Sequence, residues 1–178
     1  MAVSKLWSIN ESGLSSVLQY AANPKKTNNK LYISGINCEP ETAYEEFTAV
    51  KRSYAKADGI EAYHGYLSFK EQNITPELTM KIGTEFAQEV WGKRFQILVT
   101  VHTDTEHPHC HFVINSVSFV DGKKLWGEEK AWFKFKQTAD RLCEKYGLYY
   151  NPKPVRGRSS SYHYNREKKG EPTRYLLA

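Results

Sequence analysis

Residues 94–103 and 108–119 are two β-rich runs separated by the four polar residues Asp104 to His107, and this pairing limits the fold more than any other feature. Branched and aromatic runs joined by a short polar stretch form an antiparallel hairpin, here with a loop longer than the tightest type. Side chains two apart in a strand share a face. His109 and His111 therefore present two imidazoles to one side, and Cys110 turns toward the core. His102 ends the first run, so the hairpin sets it beside that pair. Four of the six histidines lie within ten residues. Three imidazoles converging from two rigid strands make a site for a divalent cation with open positions, where phosphate oxygens can bind. His107 precedes Pro108 in the turn and is read as a spare. Asp104 is placed to accept the free N–H of a ligand imidazole and fix its tautomer, or simply to form the turn.

The rest of the chain supplies the frame. Residues 12–22 read as a short helix broken by Asn23-Pro24, followed by a polar loop over 25–30 and a strand from Leu31 to Gly35. Pro40 opens a helix over 40–57, with Tyr44, Phe47, Val50 and Tyr54 on one face, and Asp58-Gly59 ends it. Residues 61–69 alternate as a strand. Thr75 caps a helix with Pro76 in first position and Leu78, Ile82, Phe86 and Val90 at helical spacing, closed by Gly92. Asp121-Gly122 turns the chain into a last helix over 130–146. It carries Trp132, Lys136, Ala139, Leu142 or Cys143, and Tyr146 on one side, and Gly147 stops it. This order predicts an α+β domain, an antiparallel sheet with helices on one face.

The length of 178 residues suits one domain, and 40% hydrophobic content suffices for an ordinary core. The mean hydropathy of -0.64 and the lack of a long apolar run exclude a membrane span. The first residues, MAVSKLWSINESG, lack the apolar centre of a signal peptide. Cys38, Cys110 and Cys143 are odd in number and widely spaced, which argues against a disulfide framework and for a reducing, cytosolic setting. The net charge of +5 is unevenly placed. Residues 1–150 balance 18 basic against 18 acidic groups, so the excess sits in 151–178. That segment carries Arg156 and Arg158 among seven basic residues, together with Tyr162, Tyr164 and Tyr175. Basic residues interleaved with aromatics suit a nucleic-acid backbone and unstacked bases, and equally a solvated tail. We read 1–150 as one folded domain and 151–178 as an extension leading to a further C-terminal region.

The run from His102 to Asn115, HTDTEHPHCHFVIN, closely resembles the third motif of the relaxase/mobilization nuclease family, the MobA-type relaxases of the HUH endonuclease superfamily. His109-Cys110-His111 matches its histidine–hydrophobic–histidine core. The stretch from Leu18 through Tyr20, Asn23, Lys25 and Lys26 to Thr27 resembles the first motif, which carries the nucleophilic tyrosine. The stretch from His64 to Phe69 resembles the second, whose serine, here Ser68, lies near the DNA close to the cut. The likeness covers about residues 12–146 in the family's order. It implies a central antiparallel sheet flanked by helices. It also implies nicking and rejoining of one DNA strand at the origin of transfer of a plasmid or conjugative element, through a 5′-phosphotyrosine adduct. Partners implied are single-stranded and hairpin DNA, an auxiliary relaxosome protein and a coupling protein. The implied setting is the bacterial cytoplasm, with transfer alongside the strand.

On this reading Tyr20 is the nucleophile and His102, His109 and His111 hold the metal, Mn2+ or Mg2+, with Zn2+, Co2+ or Ni2+ as alternatives. A phenol ordinarily keeps its proton until about pH 10, so the site must supply a base or a positive field. Asp104 or an imidazole takes the proton. Lys25, Lys26, Ser68, Arg156 and Arg158 contact DNA. Two rival readings stay open. One is a rolling-circle replication initiator or single-strand transposase of the same superfamily, using Tyr146, Tyr149 or Tyr150 downstream of the histidines; within the relaxase reading itself, Tyr32 is the nearest competitor to Tyr20 along the chain. The other is a DNA-binding module around a structural zinc, although three histidines leave such a site one ligand short. A metallohydrolase acting on small molecules leaves the basic tail unexplained.

Overall fold

The structure is a computed structural model that describes residues 3–71, 73–125 and 128–150. Arg156, Arg158 and the remainder of 151–178 lie outside the described residues, as does the side chain of Trp132. The elements run β1 (Val3–Ile9), α1 (Leu14–Ala21), β2 (Ile33–Ile36), a 3-10 turn (Pro40–Thr42), α2 (Ala43–Ser53), β3 (Ala62–Ser68), α3 (Pro76–Val90), β4 (Ile97–His102), β5 (His109–Asn115) and α4 (Glu128–Lys145). The five strands form one sheet in the order β1-β3-β5-β4-β2, with every neighbour antiparallel. This is the α+β architecture read from the sequence.

Burial shows why β5 is central. Cys110, Phe112 and Ile114 point to one side, where they pack with Ile97, Val99 and Val101 of β4 and with Ile82 and Phe86 of α3. Phe135, Ala139 and Leu142 of α4 complete this larger core. Val113 points to the other side, with Leu98, Ala62 and the buried residues of α1 and α2. The helices therefore lie on both faces, two on each, and not on one face as the element order suggested. Alternation is the reason: β5 is apolar on both sides over Phe112–Ile114, and a strand buried on both sides needs a cover on each.

The ends of the elements follow local chemistry. Thr75 caps α3 by accepting from the Leu78 N–H at 3.2 Å, and Pro76 occupies the first turn. Gly83 brings α3 against β5: a Cβ there would stand 3.1 Å from the Cβ of Cys110. The Cys110 thiol donates to the Thr79 carbonyl at 3.0 Å.

Four differences from the sequence reading stand out. Strand β1 was unforeseen, because its site-facing side mixes Lys5 with Trp7 and Ile9 and so blurs the alternation. Strand β2 starts at Ile33, since Asn28, Asn29 and Lys30 all take positive φ and carry the chain around a left-handed bend that leaves Leu31 66% exposed. Helix α2 is shorter at both ends and buries Ala43, Phe47 and Lys51, whereas Tyr44 and Tyr54 stay exposed. The Lys51 ammonium donates to the Glu61 carbonyl at 3.0 Å, which lets a lysine occupy an inward position. Helix α4 starts at Glu128, two residues earlier than read, and Gly147 with φ 69 follows its end.

Candidate metal centre

The site lies on the α1-covered face, at the end of the sheet where β4 finishes and β5 begins. Strand pairing sets its contents. His102 is directly opposite His109, and Thr100 is opposite His111. On the other flank of β5, Tyr66 is opposite His111 and Ser68 is opposite His109. His102, His109 and His111 thus face one space, and one ring nitrogen from each lies within 4.8 Å of the others.

The ring nitrogens divide cleanly into held and free. His102 Nε2 lies 3.0 Å from the Ala21 carbonyl, so it carries the proton and leaves Nδ1 as a lone pair. His109 Nδ1 lies 3.0 Å from the His107 carbonyl, leaving its Nε2 free in the same sense. His111 Nδ1 lies 2.9 Å from His64 Nε2, while its own Nε2 is buried without a hydrogen-bond partner. A buried polar atom with no partner is uncommon, and a ligand nitrogen awaiting a cation is a physical reason for one. Burial pushes His64 down to about 4, and pushes His111 and His102 down as well, with neighbouring imidazoles adding to the effect. His102 and His111 therefore stay neutral near pH 7, which a metal ligand requires. The donor set fits a divalent cation.

Helix α1 carries Tyr20 to this space. A Glu61 oxygen accepts from the Leu14 N–H at 2.9 Å and pins the helix start to the edge of β3. The Ala21 carbonyl, left over at the helix end, takes the His102 N–H and pins the other end to β4. Leu14, Val17, Leu18 and Ala21 are buried, while Tyr20 is 44% exposed. Its ring centre lies 5.4 Å from that of His102, 5.7 Å from His111 and 5.9 Å from His64. The Lys26 ammonium sits 5.1 Å from the Tyr20 ring centre. The loop bearing Lys26 is tied down where its carbonyl accepts the Thr103 N–H at 2.7 Å.

Other tyrosines are differently placed. Tyr32 packs in the core on the α3 side and donates to Glu77. Tyr146 and Tyr150 donate to Glu85 and Glu144 at 2.7 and 2.9 Å. Tyr149 lies under Lys70. Tyr66 is the second tyrosine of the site, with its ring centre 6.4 Å from that of His111.

Two readings need correction. Asp104 does not accept an imidazole N–H: its carboxylate pairs with Lys26 at 2.6 Å, and backbone carbonyls and His64 take the ring N–H positions. The Lys26 contact holds Asp104 below its usual carboxylate range and Lys26 above its own. His107 is not idle, since its carbonyl orients His109. His64 is the neighbour that orients His111, a part the sequence reading did not assign, and its place on the same face of β3 as Ser68 was the available signal. Lys25 is exposed, with its N–H bound to the Asn23 side chain at 2.9 Å.

The family model for the nuclease domain of MobA/VirD2-like relaxases matches residues 20–148. Protein rlx of Staphylococcus aureus is 36% identical over 148 residues, covering 83% of this chain and 44% of its own. The group II intron-interrupted relaxase LtrB of Lactococcus lactis is 25% identical, covering 78% of this chain and 31% of its own. The chain thus spans less than half the length of these curated relatives. Among solved structures, the MobM relaxase domain, bound to plasmid oriT DNA and manganese, superposes with a TM-score of 0.64 at 12% identity, over 95% of this chain and 98% of that one. A structure described as the molecular basis of vancomycin resistance transfer in Staphylococcus aureus gives 0.58 at 13% identity, over 85% and 96%. Sequence and fold together place this chain in the MobA/VirD2-like relaxase family, as its nuclease domain.

Proposed function

We propose that the chain nicks and rejoins one DNA strand at the origin of transfer of a plasmid or conjugative element, with Tyr20 as the nucleophile. The observation that carries this reading is the packing of Tyr20 against His102 and against His111, whose Nε2 is buried without a hydrogen-bond partner. His102, His109 and His111 would hold a divalent cation, which would polarise the scissile phosphate and neutralise charge gained in the transition state. Manganese, the ion in the MobM structure, is the natural choice for assay.

The chain's own groups do the rest. The Tyr20 hydroxyl oxygen bonds to phosphorus, the bond from phosphorus to the 3′ oxygen breaks, and that oxygen leaves as a hydroxyl. The phenol proton is lost and the 3′ oxygen gains one. The ester energy is kept in the phosphotyrosine, so rejoining is the same step reversed. Lys26 puts a positive charge against the ring face and beside the incoming phosphate, and Asp104 holds Lys26 in place. Ser68, opposite His109, and exposed Lys25 lie where flanking phosphates would pass. Arg156 and Arg158 would add further contacts to the DNA backbone. Among the described residues no helix is long and apolar enough to cross a membrane. We place the activity in the bacterial cytoplasm, with an auxiliary relaxosome protein and a coupling protein as partners and passage of the protein with its strand.

The test is a cleavage assay on single-stranded transfer-origin DNA, with manganese or with EDTA, resolved on a denaturing protein gel. A manganese-dependent protein–DNA adduct is expected in the wild type and in Tyr66→Phe, and none in Tyr20→Phe. An adduct that persists in Tyr20→Phe would move the chemistry to another tyrosine.

A further inference from the structure

Beside the histidines, the same sheet face carries a strip that no step above uses. Strand β1 sets Trp7 opposite His64 and Lys5 opposite Tyr66, and β3 sets both beside β5. The Trp7 ring centre lies 4.5 Å from that of His64 and 6.2 Å from that of Tyr66. Lys5 is exposed, with its ammonium 5.8 Å from the Trp7 ring centre, and Trp7 and Tyr66 are partly buried. Helices α1 and α2 bury the other part of this face, over Ala62, Leu98 and Val113, and leave this strip outside their core. A tryptophan on an edge strand, beside a lysine and continuous with the histidine centre, has the makings of a base-stacking platform.

We propose that Trp7 stacks on one unpaired base of the DNA strand next to the scissile phosphate, with Lys5 on the neighbouring backbone. This rests on the nicking function proposed above and names the contact that sets the strand on the sheet. The occupant is single-stranded DNA. The strip runs from the histidine centre, where the scissile phosphate must lie, to the sheet edge one strand beyond His64. The lysine charge suits a phosphate, and the indole and phenol suit a base face that any sequence offers.

The experiment is an abasic scan, with anisotropy as readout. A labelled single-stranded transfer-origin oligonucleotide carries one abasic nucleotide, walked through the positions flanking the nick, and is titrated with wild type, Trp7→Ala and Trp7→Phe, with manganese affinity measured in parallel. In the wild type one abasic position should weaken binding about tenfold to a hundredfold. In Trp7→Ala the intact oligonucleotide should bind as weakly as that, with no further loss at the same position. Trp7→Phe should recover most of the affinity, and both variants should bind manganese as the wild type does. An abasic penalty that is equally large in Trp7→Ala would overturn the proposal. So would a loss in Trp7→Ala that appears in manganese affinity, because Trp7 would then serve only to cover His64. A wild type that binds the oligonucleotide with no penalty at any position also overturns it, while leaving nicking at Tyr20 intact. A wild type that does not bind the oligonucleotide at all would instead remove the function on which it rests.

Discussion

Substituting Gly83 by alanine tests the link between the α3 packing and the histidine centre. The added methyl would stand 3.1 Å from Cys110 Cβ, nearer still to Cys110 Sγ, and 3.8 Å from the Phe112 ring. Carbon atoms pack best at about 3.5–4.0 Å, so either α3 lifts or Cys110 moves. Alanine recovers about 1 kcal/mol of helix propensity over glycine, but overpacking a tight core costs about 1–3 kcal/mol. A net loss of up to about 2 kcal/mol follows from these two. Because Cys110 sits between His109 and His111 on β5, the displacement should also weaken manganese binding. Cys110→Ala removes the crowding sulfur, along with the thiol bond to the Thr79 carbonyl at 3.0 Å. In the double variant the new methyl occupies space the sulfur has left. The two changes should therefore be less destabilising together than their sum, by about 1 kcal/mol or more. Urea unfolding of the four proteins in EDTA gives the cycle, and manganese titration gives the coupling to the site. Additivity within about 0.5 kcal/mol would refute the claim that this contact fixes the helix-to-strand distance.

Other consequences are measurable. Manganese at about a hundred times its dissociation constant should raise stability by roughly 2.7 kcal/mol, and His111→Ala should abolish that gain in a thermal-melt series. His64→Phe removes the group that orients His111, and should lower manganese affinity about tenfold to a hundredfold, with His64→Gln restoring part of it. Without metal, the fold should weaken as pH falls from about 6.5 toward 4: His64 titrates at about 4 when folded but at the ordinary value when unfolded, so the unfolded chain takes up the proton first. That group alone accounts for something on the order of 3 kcal/mol, and flat stability across this window in EDTA would contradict its burial as a neutral imidazole. Lys26→Ala should slow nicking more than it lowers stability, because the Lys26–Asp104 pair is a partly exposed surface pair and worth little to the fold.

Much of this arrangement is legible in the chain. The hairpin of β4 and β5 follows from two apolar runs and a polar turn, and the parity of a strand then brings His102, His109 and His111 to one face. The α3 cap at Thr75 and the stop at Gly147 are local signals and appear where they should. What escaped depends on partners distant in sequence. Strand β1 looks irregular until it is paired with β3. Lys51 reads as a surface residue until the Glu61 carbonyl is beside it. Asp104 sits three residues from His107 in the sequence, yet its ion partner is Lys26, from a loop 78 residues away. The orientation of the imidazoles was hidden for the same reason, since the Ala21 carbonyl and His64 reach them only after α1 and β3 have docked.

The most direct test of the central claim is to identify the attached residue. Trypsin releases residues 6–25 as one peptide, LWSINESGLSSVLQYAANPK, in which Tyr20 is the only tyrosine. Trap the adduct with manganese and single-stranded transfer-origin DNA, trim the DNA with nuclease, digest, and sequence the nucleotide-bearing peptide by mass spectrometry. The account predicts a phosphonucleotide on Tyr20 in this peptide. A nucleotide on Tyr66, on a tyrosine beyond residue 145 or on a histidine would contradict it.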